Sequence, residues 1–157
     1  PGISTRKHSS LVYKALSTKI RSLHKGNSEV REVTPGASIS IETSLDPFLT
    51  KTDSLTGCVV SLKGKLPEIQ YGVKLKTRLF DEVFGLRDRK TVEPLKTKEL
   101  LMLSMNTTIT VGVVERISKD EIEFSLNIPI VAVKGNNAGI ARNIEGHWRL
   151  IGWGEVL

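Results

Sequence analysis

The clearest pattern in the chain is the alternation of apolar and charged residues between Ile69 and Leu79. One side of this stretch is apolar, and the other carries Lys74, Lys76 and Arg78. Because successive side chains of a β-strand point to opposite faces, the two-residue period predicts a strand with one face in a core. The predicted core face comprises Ile69, Tyr71, Val73, Leu75, Thr77 and Leu79.

Further strand signals follow this stretch at short intervals. Residues 108–117 and 121–126 predict a hairpin, with Ile122, Phe124 and Leu126 on one face. Other apolar runs predict strands at 99–105, 128–133, 140–144 and 148–156. Some seven short strands, with no stretch left for a pair of helices, predict a closed Greek-key barrel.

The first 66 residues also read as β-structure, but they are too few for a closed barrel. Pro35-Gly36 predicts a turn, and the strand after it alternates Ile39 and Ile41 with polar residues. Leu45-Asp46-Pro47 ends that strand, because proline lacks an N–H and restricts the residue before it. Other strands are predicted at 29–33 and from Gly57 to Val60, with residues 1–10 as a loop, while the spacing of Val12, Leu16, Ile20 and Leu23 could also be helical. Residues 62–67 read as a connector, which gives two units, 1–66 and 67–157.

Composition excludes only a few classes of fold and function. The chain has 157 residues, of which 39% are hydrophobic, so a core is expected, and its net charge of +6 permits an anionic partner. The single cysteine, Cys58, excludes an internal disulfide and is expected to be a buried thiol in a strand. The chain has no cluster of thiols that would predict a metal site. No apolar run approaches the ~18 residues of a membrane-spanning helix. We therefore expect a cytoplasmic protein that contacts no membrane.

The sequence offers little for catalysis. It lacks the P-loop pattern, the Gly-x-Ser-x-Gly elbow and the His-Glu-x-x-His pattern, so no catalytic residue is predicted. A stand-alone β-barrel hydrolase using His147 stays a remote alternative. Trp148 and Trp153 are five residues apart, which places them on opposite faces of a strand, one in the core and one at an interface.

Two dense stretches resemble a known family. Pro35-Gly36, the alternating strand, Leu45-Asp46-Pro47, Leu49-Thr50-Lys51, Asp53 and Gly57 occur in the order of its second domain, and residues 146–154 resemble the end of its third domain. The family is the gamma subunit of archaeal and eukaryotic translation initiation factor 2, a relative of elongation factor Tu. The resemblance covers nearly the whole chain and implies that residues 18–23 form a strand. It implies an all-β fragment of two consecutive antiparallel Greek-key barrels, part of domain II followed by all of domain III.

The resemblance also implies a function. Intact members bind and hydrolyse GTP with Mg²⁺ in an N-terminal domain, whose motifs this chain lacks, so the chain itself is expected to bind neither cofactor. Intact members deliver methionyl initiator tRNA to the small ribosomal subunit. Their alpha subunit docks on the second domain, and their beta subunit docks on the nucleotide domain. The nearest alternative is the same pair of barrels from an elongation- or selenocysteine-type factor, which would carry an elongator aminoacyl-tRNA.

The resemblance assigns the site residues as well. The 3′ end of the tRNA is expected at His24, Lys25, Gly36 and Ala37, where a small residue lets backbone approach the terminal ribose and a basic one meets the phosphate. The other motif residues are expected to be structural, although Asp46 and Asp53 could either cap turns or contact a ligand. These motif residues are Asp46, Pro47, Thr50, Lys51, Asp53, Gly57, Trp148, Arg149, Gly152 and Trp153.

Overall fold

The described part of the chain is all-β, as predicted. A computed structural model describes residues 3–7, 10–51, 53–86 and 88–157. Within them, the only helical element is a short 3₁₀ turn, Pro47–Thr50, and no helix is long and apolar enough to cross a membrane. The strands are β1 (Ile3–Lys7), β2 (Ser10–Lys14), β3 (Ile20–Lys25), β4 (Ser28–Val30), β5 (Ser40–Thr43), β6 (Gln70–Leu79), β7 (Leu100–Met105), β8 (Thr108–Ser118), β9 (Glu121–Ile130), β10 (Asn137–Ile144) and β11 (His147–Val156).

The last six strands form the predicted closed barrel. Their order around the barrel is β10-β11-β6-β9-β8-β7, and all neighbours are antiparallel. Strand β6 lies beside β9, so the chain from β6 to β7 must cross to the far side of the β7-β8-β9 meander. This connection makes the topology a Greek key.

The barrel has six strands instead of seven because the two stretches predicted at 121–126 and 128–133 belong largely to one strand, β9. The pairing of β9 with β6 skips from Ser125 to Ile130, so Pro129 lies at an irregular point of the ladder where its missing N–H is tolerated. The buried hydroxyl of Thr110 secures this point. Its Oγ1 donates to the carbonyl of Ile128 at 2.8 Å and accepts from the N–H of Ile128 at 3.0 Å.

The barrel interior holds the hydrophobic core. Ile122, Phe124 and Leu126 point into it, as the alternation in β9 predicts. All six strands contribute large, fully buried hydrophobic side chains: Leu75, Leu101, Leu103, Val114, Ile130, Ile140 and Ile151. Each such side chain contributes roughly 1.5–3 kcal/mol through removal from water.

A bulge in β11 overturns the prediction for the two tryptophans. Ile140 pairs with Gly152 and Ala141 with Leu150, so Ile151 is an extra residue in β11. The inward face therefore changes from the odd positions 149 and 151 to the even positions 152, 154 and 156, and both Trp148 and Trp153 face outward, each 39% exposed. The prediction of one core tryptophan was wrong because strict alternation does not survive an inserted residue.

Gly152 lies at the same bulge, where β11 approaches β6 most closely. A Cβ at this position would lie 2.5 Å from the carbonyl oxygen of Arg78 and 2.9 Å from the Cα of Leu79. Both neighbours are backbone atoms that are held in the sheet, so only glycine allows this contact between the first and last strands of the barrel.

Arg142 holds the long β6–β7 connection against the barrel. Its guanidinium binds both carboxylate oxygens of Glu99, with Nε–Oε1 at 2.6 Å, and donates to the carbonyls of Glu93 and Pro94 at 2.9 and 3.3 Å. The two side chains of the ion pair are only 15% and 18% exposed. The planar fork of arginine suits this arrangement, because lysine could not reach the carboxylate and both carbonyls at fixed angles.

Ion pairs on the outside of the barrel link neighbouring strands. Lys74 lies 2.6 Å from Glu121, and this hydrogen bond raises the pKa of Lys74. Lys98 and then Ser125 donate to Glu115, and both bonds lower the pKa of that carboxyl. Pairs as exposed as these contribute little to stability.

The first part of the chain is an open β-structure. Strands β4-β3-β5 form one sheet, and β1 pairs with β2 in a separate hairpin. Strands β3 and β4 match the predicted strands at 18–23 and 29–33 within a few residues. The apolar residues Ile20 and Ile41 are 58% and 42% exposed, so the alternating face of this sheet is uncovered.

Three predictions for this part were wrong. Residues 3–7 form a strand instead of a loop, because the polar segment finds its hydrogen-bond partner in β2; Pro1, Gly2, His8 and Ser9 lie outside the described residues. The stretch from Gly57 to Val60 is not a strand, since no neighbouring strand pairs with it. Cys58 is accordingly half-buried in a loop and not in a strand.

Hydrogen bonds at Gly57 and at Tyr13 join the open part to the barrel. The hydroxyl of Thr108 donates to the carbonyl of Gly57 at 2.7 Å, and the hydroxyl of Tyr71 accepts from the N–H of Tyr13 at 3.3 Å. Gly57 has φ +77°, and a Cβ there would lie 3.1 Å from the carbonyl oxygen of Thr107. The loop before the connector therefore rests on the β7–β8 turn.

We expect Gly152→Ala to destabilise the fold by about 1–3 kcal/mol, because the added methyl group meets backbone in the β6–β11 contact. The matched control is Gly139→Ala in the adjacent strand, where the Cβ would mainly meet the Ser104 hydroxyl at 2.7 Å, a group that can rotate away. That control should cost less than about 1 kcal/mol. Denaturant unfolding of both variants measures the difference, and equal midpoints would contradict the steric role of Gly152.

We expect Arg142→Ala to cost about 2–3 kcal/mol, less than loss of a fully buried pair, because Glu99 loses its partner while retaining some contact with water. The control is Arg89→Ala, whose ion pair with Glu82 has side chains 88% and 51% exposed. It should change the free energy of unfolding by under about 0.5 kcal/mol. Denaturant unfolding again measures both, and a silent Arg142→Ala variant would show that the connection does not depend on this pair.

Candidate nucleic-acid interface

One end of the three-stranded sheet gathers the four residues predicted for the tRNA 3′ end. His24 and Lys25 end β3, and the register places Ser40, the first residue of β5, opposite His24. Gly36 and Ala37 lie in the loop that leads into Ser40, so that loop ends beside His24. The sheet register thus brings two pairs of residues, some twelve positions apart in sequence, to the same end.

The backbone at Gly36 leaves room for a ligand. Its φ is +103°, and a Cβ there would meet no atom within 4 Å. Ala37 is exposed as well. The positive φ explains the glycine by itself, while the open space beside it is compatible with close approach of a ribose or a backbone.

His24 belongs to a short hydrogen-bond chain. Its Nε2 lies 3.1 Å from the hydroxyl of Ser22, and this hydroxyl donates to Glu42 at 2.8 Å. A serine hydroxyl has one hydrogen, so Ser22 must accept from Nε2–H of His24. With both contacts made, the imidazole therefore carries a hydrogen on Nε2.

This arrangement cannot activate Ser22 as a nucleophile. In a catalytic triad the histidine takes the serine proton, whereas here the serine hydrogen points to the carboxylate. The imidazole of His147 is exposed and makes no hydrogen bond to a side chain in the described part of the chain.

Charges of both signs lie near this end, because Glu29 is opposite His24 and Glu42 accepts from Ser22. Lys25 and Arg31 are exposed, and neither has an ion-pair partner among the described residues. Arg21 is less available, because it lies 4.0 Å from Glu42 and donates to Ser44 at 3.2 Å. No group of three or more metal-ligating side chains occurs within the ranges that the structure describes.

The Asp46–Gly57 motif lies at the other end of the sheet. Strand β5 leaves the His24 end and finishes at Thr43, opposite Ile20, before the motif begins. The structure therefore does not bring the motif to the four tRNA candidates.

Hydrogen bonds within the motif account for most of its residues. The carboxylate of Asp46 caps the 3₁₀ turn by accepting from Phe48 N at 2.9 Å, with Pro47 at the first position of the turn. Thr50 donates to the carbonyl of Pro47 at 3.0 Å, and the carbonyl of Lys51 accepts from Ser54. Asp53 has φ +55°, and its carbonyl accepts from Thr56 N at 2.9 Å. The motif is a series of tight turns that ends at the Gly57 contact with the barrel.

The C-terminal motif is also remote from the candidate site. Arg149 donates from Nη1 to the carbonyl of Gly85 at 3.0 Å, which fixes the β6–β7 connection, and its Nε is buried without a partner among the described atoms. Trp148 and Trp153 lie on the outer surface of the barrel, and Gly152 lies at the β6–β11 contact. Arg149 and Gly152 thus make contacts within the barrel, while the two tryptophans are exposed on its surface.

Sequence reasoning missed Ser22 and Glu42. Their signal was present, since Ser22 and His24 are two residues apart and so share one strand face. The contribution of Glu42 depends on the β3–β5 register, which a single sequence does not reveal.

Comparison with known proteins extends the match over the whole chain. Residues 71–156 match the family model "Initiation factor eIF2 gamma, C terminal". The chain is 44% identical over 157 residues to translation initiation factor 2 subunit gamma of Aeropyrum pernix, with 99% of this chain and 38% of that protein covered. The proteins of the same name from Methanocaldococcus jannaschii and Pyrococcus furiosus are 41% and 42% identical over 156 residues, with the same coverage.

The chain therefore spans little more than a third of the length of these relatives. The family model covers most of the closed barrel, and the relatives also cover the open sheet with the His24 end. The chain belongs to the family of initiation factor eIF2 gamma.

Proposed function

We propose that this chain is the tRNA- and subunit-binding portion of a translation initiation factor 2 gamma subunit. The observation that carries the proposal is the match of 99% of the chain to gamma subunits of that factor. The same names favour an initiator tRNA over the elongator tRNA of the sister families. In the intact protein, GTP and Mg²⁺ would bind a preceding domain, and the whole would deliver methionyl initiator tRNA to the small ribosomal subunit.

We infer the division of the chain into two domains from the same family match. Residues 1–66 would belong to domain II and residues 67–157 to domain III. The closed barrel, which begins with β6 at Gln70, supports a boundary just before it. The open β4-β3-β5 sheet supports the view that domain II has further strands elsewhere in the protein.

The tRNA 3′ end would lie at the His24 end of the sheet. Lys25 would meet a backbone phosphate, and the open space at Gly36 and Ala37 would admit the terminal ribose. His24 would present Nδ1 or the ring face to the same nucleotide. The exposed Lys25, which has no ion-pair partner among the described residues, and the lack of side-chain bulk at Gly36 and Ala37 support the assignment.

We expect Lys25→Ala to weaken binding of methionyl initiator tRNA about 3- to 10-fold and to lower the salt-dependence slope by about one unit, since one phosphate contact is lost. The experiment uses a chimaera in which this chain replaces the matching 38% of the Aeropyrum pernix protein. Fluorescence anisotropy at several salt concentrations measures both quantities.

The matched control is Lys63→Ala in the exposed connector. It removes the same charge away from the proposed site, so the salt slope should stay unchanged. Equal losses for the two variants would indicate a general charge effect and would reject the His24 end as the tRNA site.

The alpha subunit would dock on the open first part, and the beta subunit on the nucleotide domain of the intact protein. We expect the isolated C-terminal domain of the alpha subunit to bind the chimaera and to shift its elution in size-exclusion chromatography. Failure of a complex to form at micromolar concentrations would reject this partner assignment while leaving the tRNA proposal intact.

A further inference from the structure

The β4-β3-β5 sheet has an apolar face and a polar face. Leu23 is paired with Val30 on one side and with Ile41 on the other, so these three side chains share the apolar face. The alternate positions of the same strands form the polar face. Its five residues, which we call the polar cluster, are Ser22, His24, Glu29, Ser40 and Glu42. His24 therefore lies among hydrogen-bonding groups and not in a hydrophobic core.

Glu42 sets the direction of the hydrogen bonds in the polar cluster. An ionised carboxylate has only acceptors, so the hydroxyl of Ser22 must donate to it, over 2.8 Å. That hydroxyl is then left to accept from Nε2 of His24, at 3.1 Å. The bond to the charged group is the stronger of the two, so the carboxylate decides where the imidazole hydrogen lies.

The hydrogen on Nε2 limits what a neutral His24 can bind. The Nε2–H group already donates to Ser22, and Nδ1 of a neutral ring is then an acceptor. Phosphate oxygens are acceptors as well, so the neutral ring forms no hydrogen bond with them. In the backbone of an RNA strand, the group that donates is the ribose hydroxyl. The polar cluster thus favours a sugar over a phosphate as the partner of His24.

We propose that Glu42 is a positioning residue for RNA binding. Through Ser22 it keeps the hydrogen of His24 on Nε2, so that Nδ1 accepts a hydrogen bond from a ribose hydroxyl of the bound RNA. The inference rests on the proposed function, because it takes the tRNA 3′ end to lie at the His24 end of the sheet.

The register supports the terminal ribose as the partner. Gly36 and Ala37, proposed to admit this sugar, lie in the loop that leads into Ser40, and Ser40 is paired with His24. Side chains of directly paired residues are neighbours on one face of a sheet. The loop therefore ends beside the imidazole, and one sugar can contact both.

Glu29 supplies a matched control for Glu42. It pairs with His24 from β4 and is exposed, as Glu42 is. Among the described residues, however, no ion pair or side-chain hydrogen bond involves Glu29, whereas Glu42 accepts from Ser22. Glu29 thus places a similar charge beside His24 without directing the hydrogen bond of Ser22.

The first experiment measures binding of methionyl initiator tRNA to the chimaera by fluorescence anisotropy, at about pH 7.5, where an ordinary imidazole is about nine-tenths neutral. Glu42→Gln and Glu29→Gln each remove one negative charge, which by itself should strengthen binding to an anionic RNA. Glu42→Gln should instead weaken binding about 3- to 10-fold, because one hydrogen bond to the ribose is lost. Glu29→Gln should bind as tightly as the parent or more tightly.

NMR provides a second measurement, which a merely structural role of Glu42 would not change. Long-range proton–nitrogen correlations of the histidine-labelled chimaera show which ring nitrogen carries the hydrogen, and the His24→Ala variant identifies the His24 signals. The parent and Glu29→Gln should show the Nε2–H form. Glu42→Gln should populate the Nδ1–H form, because its amide can donate to Ser22 and free that hydroxyl to donate to Nε2.

Further variants test the route through Ser22 and His24. Ser22→Ala should weaken tRNA binding as much as Glu42→Gln does, whereas Ser22→Thr keeps the hydroxyl and should bind like the parent. In a His24→Ala background, Glu42→Gln should cause no further weakening, because its effect passes through the ring. All three positions are exposed or half-buried, so the fold should be retained, and circular dichroism checks it.

Three results would overturn the inference: a parent with its His24 hydrogen on Nδ1, a Glu42→Gln variant that binds as tightly as Glu29→Gln, or a further loss from Glu42→Gln in the His24→Ala background. Each would leave the proposed function intact if Lys25→Ala still weakens binding. A parent chimaera that fails to bind methionyl initiator tRNA would reject the proposed function and this inference together.

Discussion

The closed barrel depends on the contact between its first and last strands, and that contact requires a glycine, which has no side chain. Gly152 lets β11 approach the backbone of β6 at Arg78 and Leu79, where a methyl group would lie 2.5 Å from a carbonyl oxygen. The extra residue Ile151 supplies the local bend at the same point. Without this approach the six strands would end in two open edges and not in a barrel.

Closure has consequences for the long connection and for the surface. The β6–β7 segment must cross one end of the barrel, and Arg142 and Arg149 hold it there through backbone carbonyls and Glu99. The bulge turns Trp148 and Trp153 outward, so two residues that alternation divides between core and surface lie on one exposed face. One inserted residue thus affects both the shape of the barrel and the chemistry of its exterior.

The open sheet has the opposite character. Its apolar residues remain exposed, and its strands are short, so it depends more on its surroundings than the barrel does. Its contacts with the barrel run through Gly57 and Thr108, and through Tyr13 and Tyr71. The Asp46–Gly57 motif forms the first of these contacts with a series of turns, which explains its density of proline, aspartate, threonine and glycine in physical terms.

The sequence by itself determined the β-class, the strands around Val73 and Phe124, the turn at Pro35-Gly36 and the family, because each rests on local periodicity, turn chemistry or a dense motif. It also led to the prediction of four tRNA-contacting residues at the His24 end, through resemblance and not through physics. Only the tertiary structure decided the six-strand count, the outward tryptophans, the β1 strand and the Ser22–His24–Glu42 chain. Each of these depends on the register between strands that are distant in sequence. Register is set by packing and by inserted residues, and the hydrophobic periodicity of the sequence does not reveal either of them.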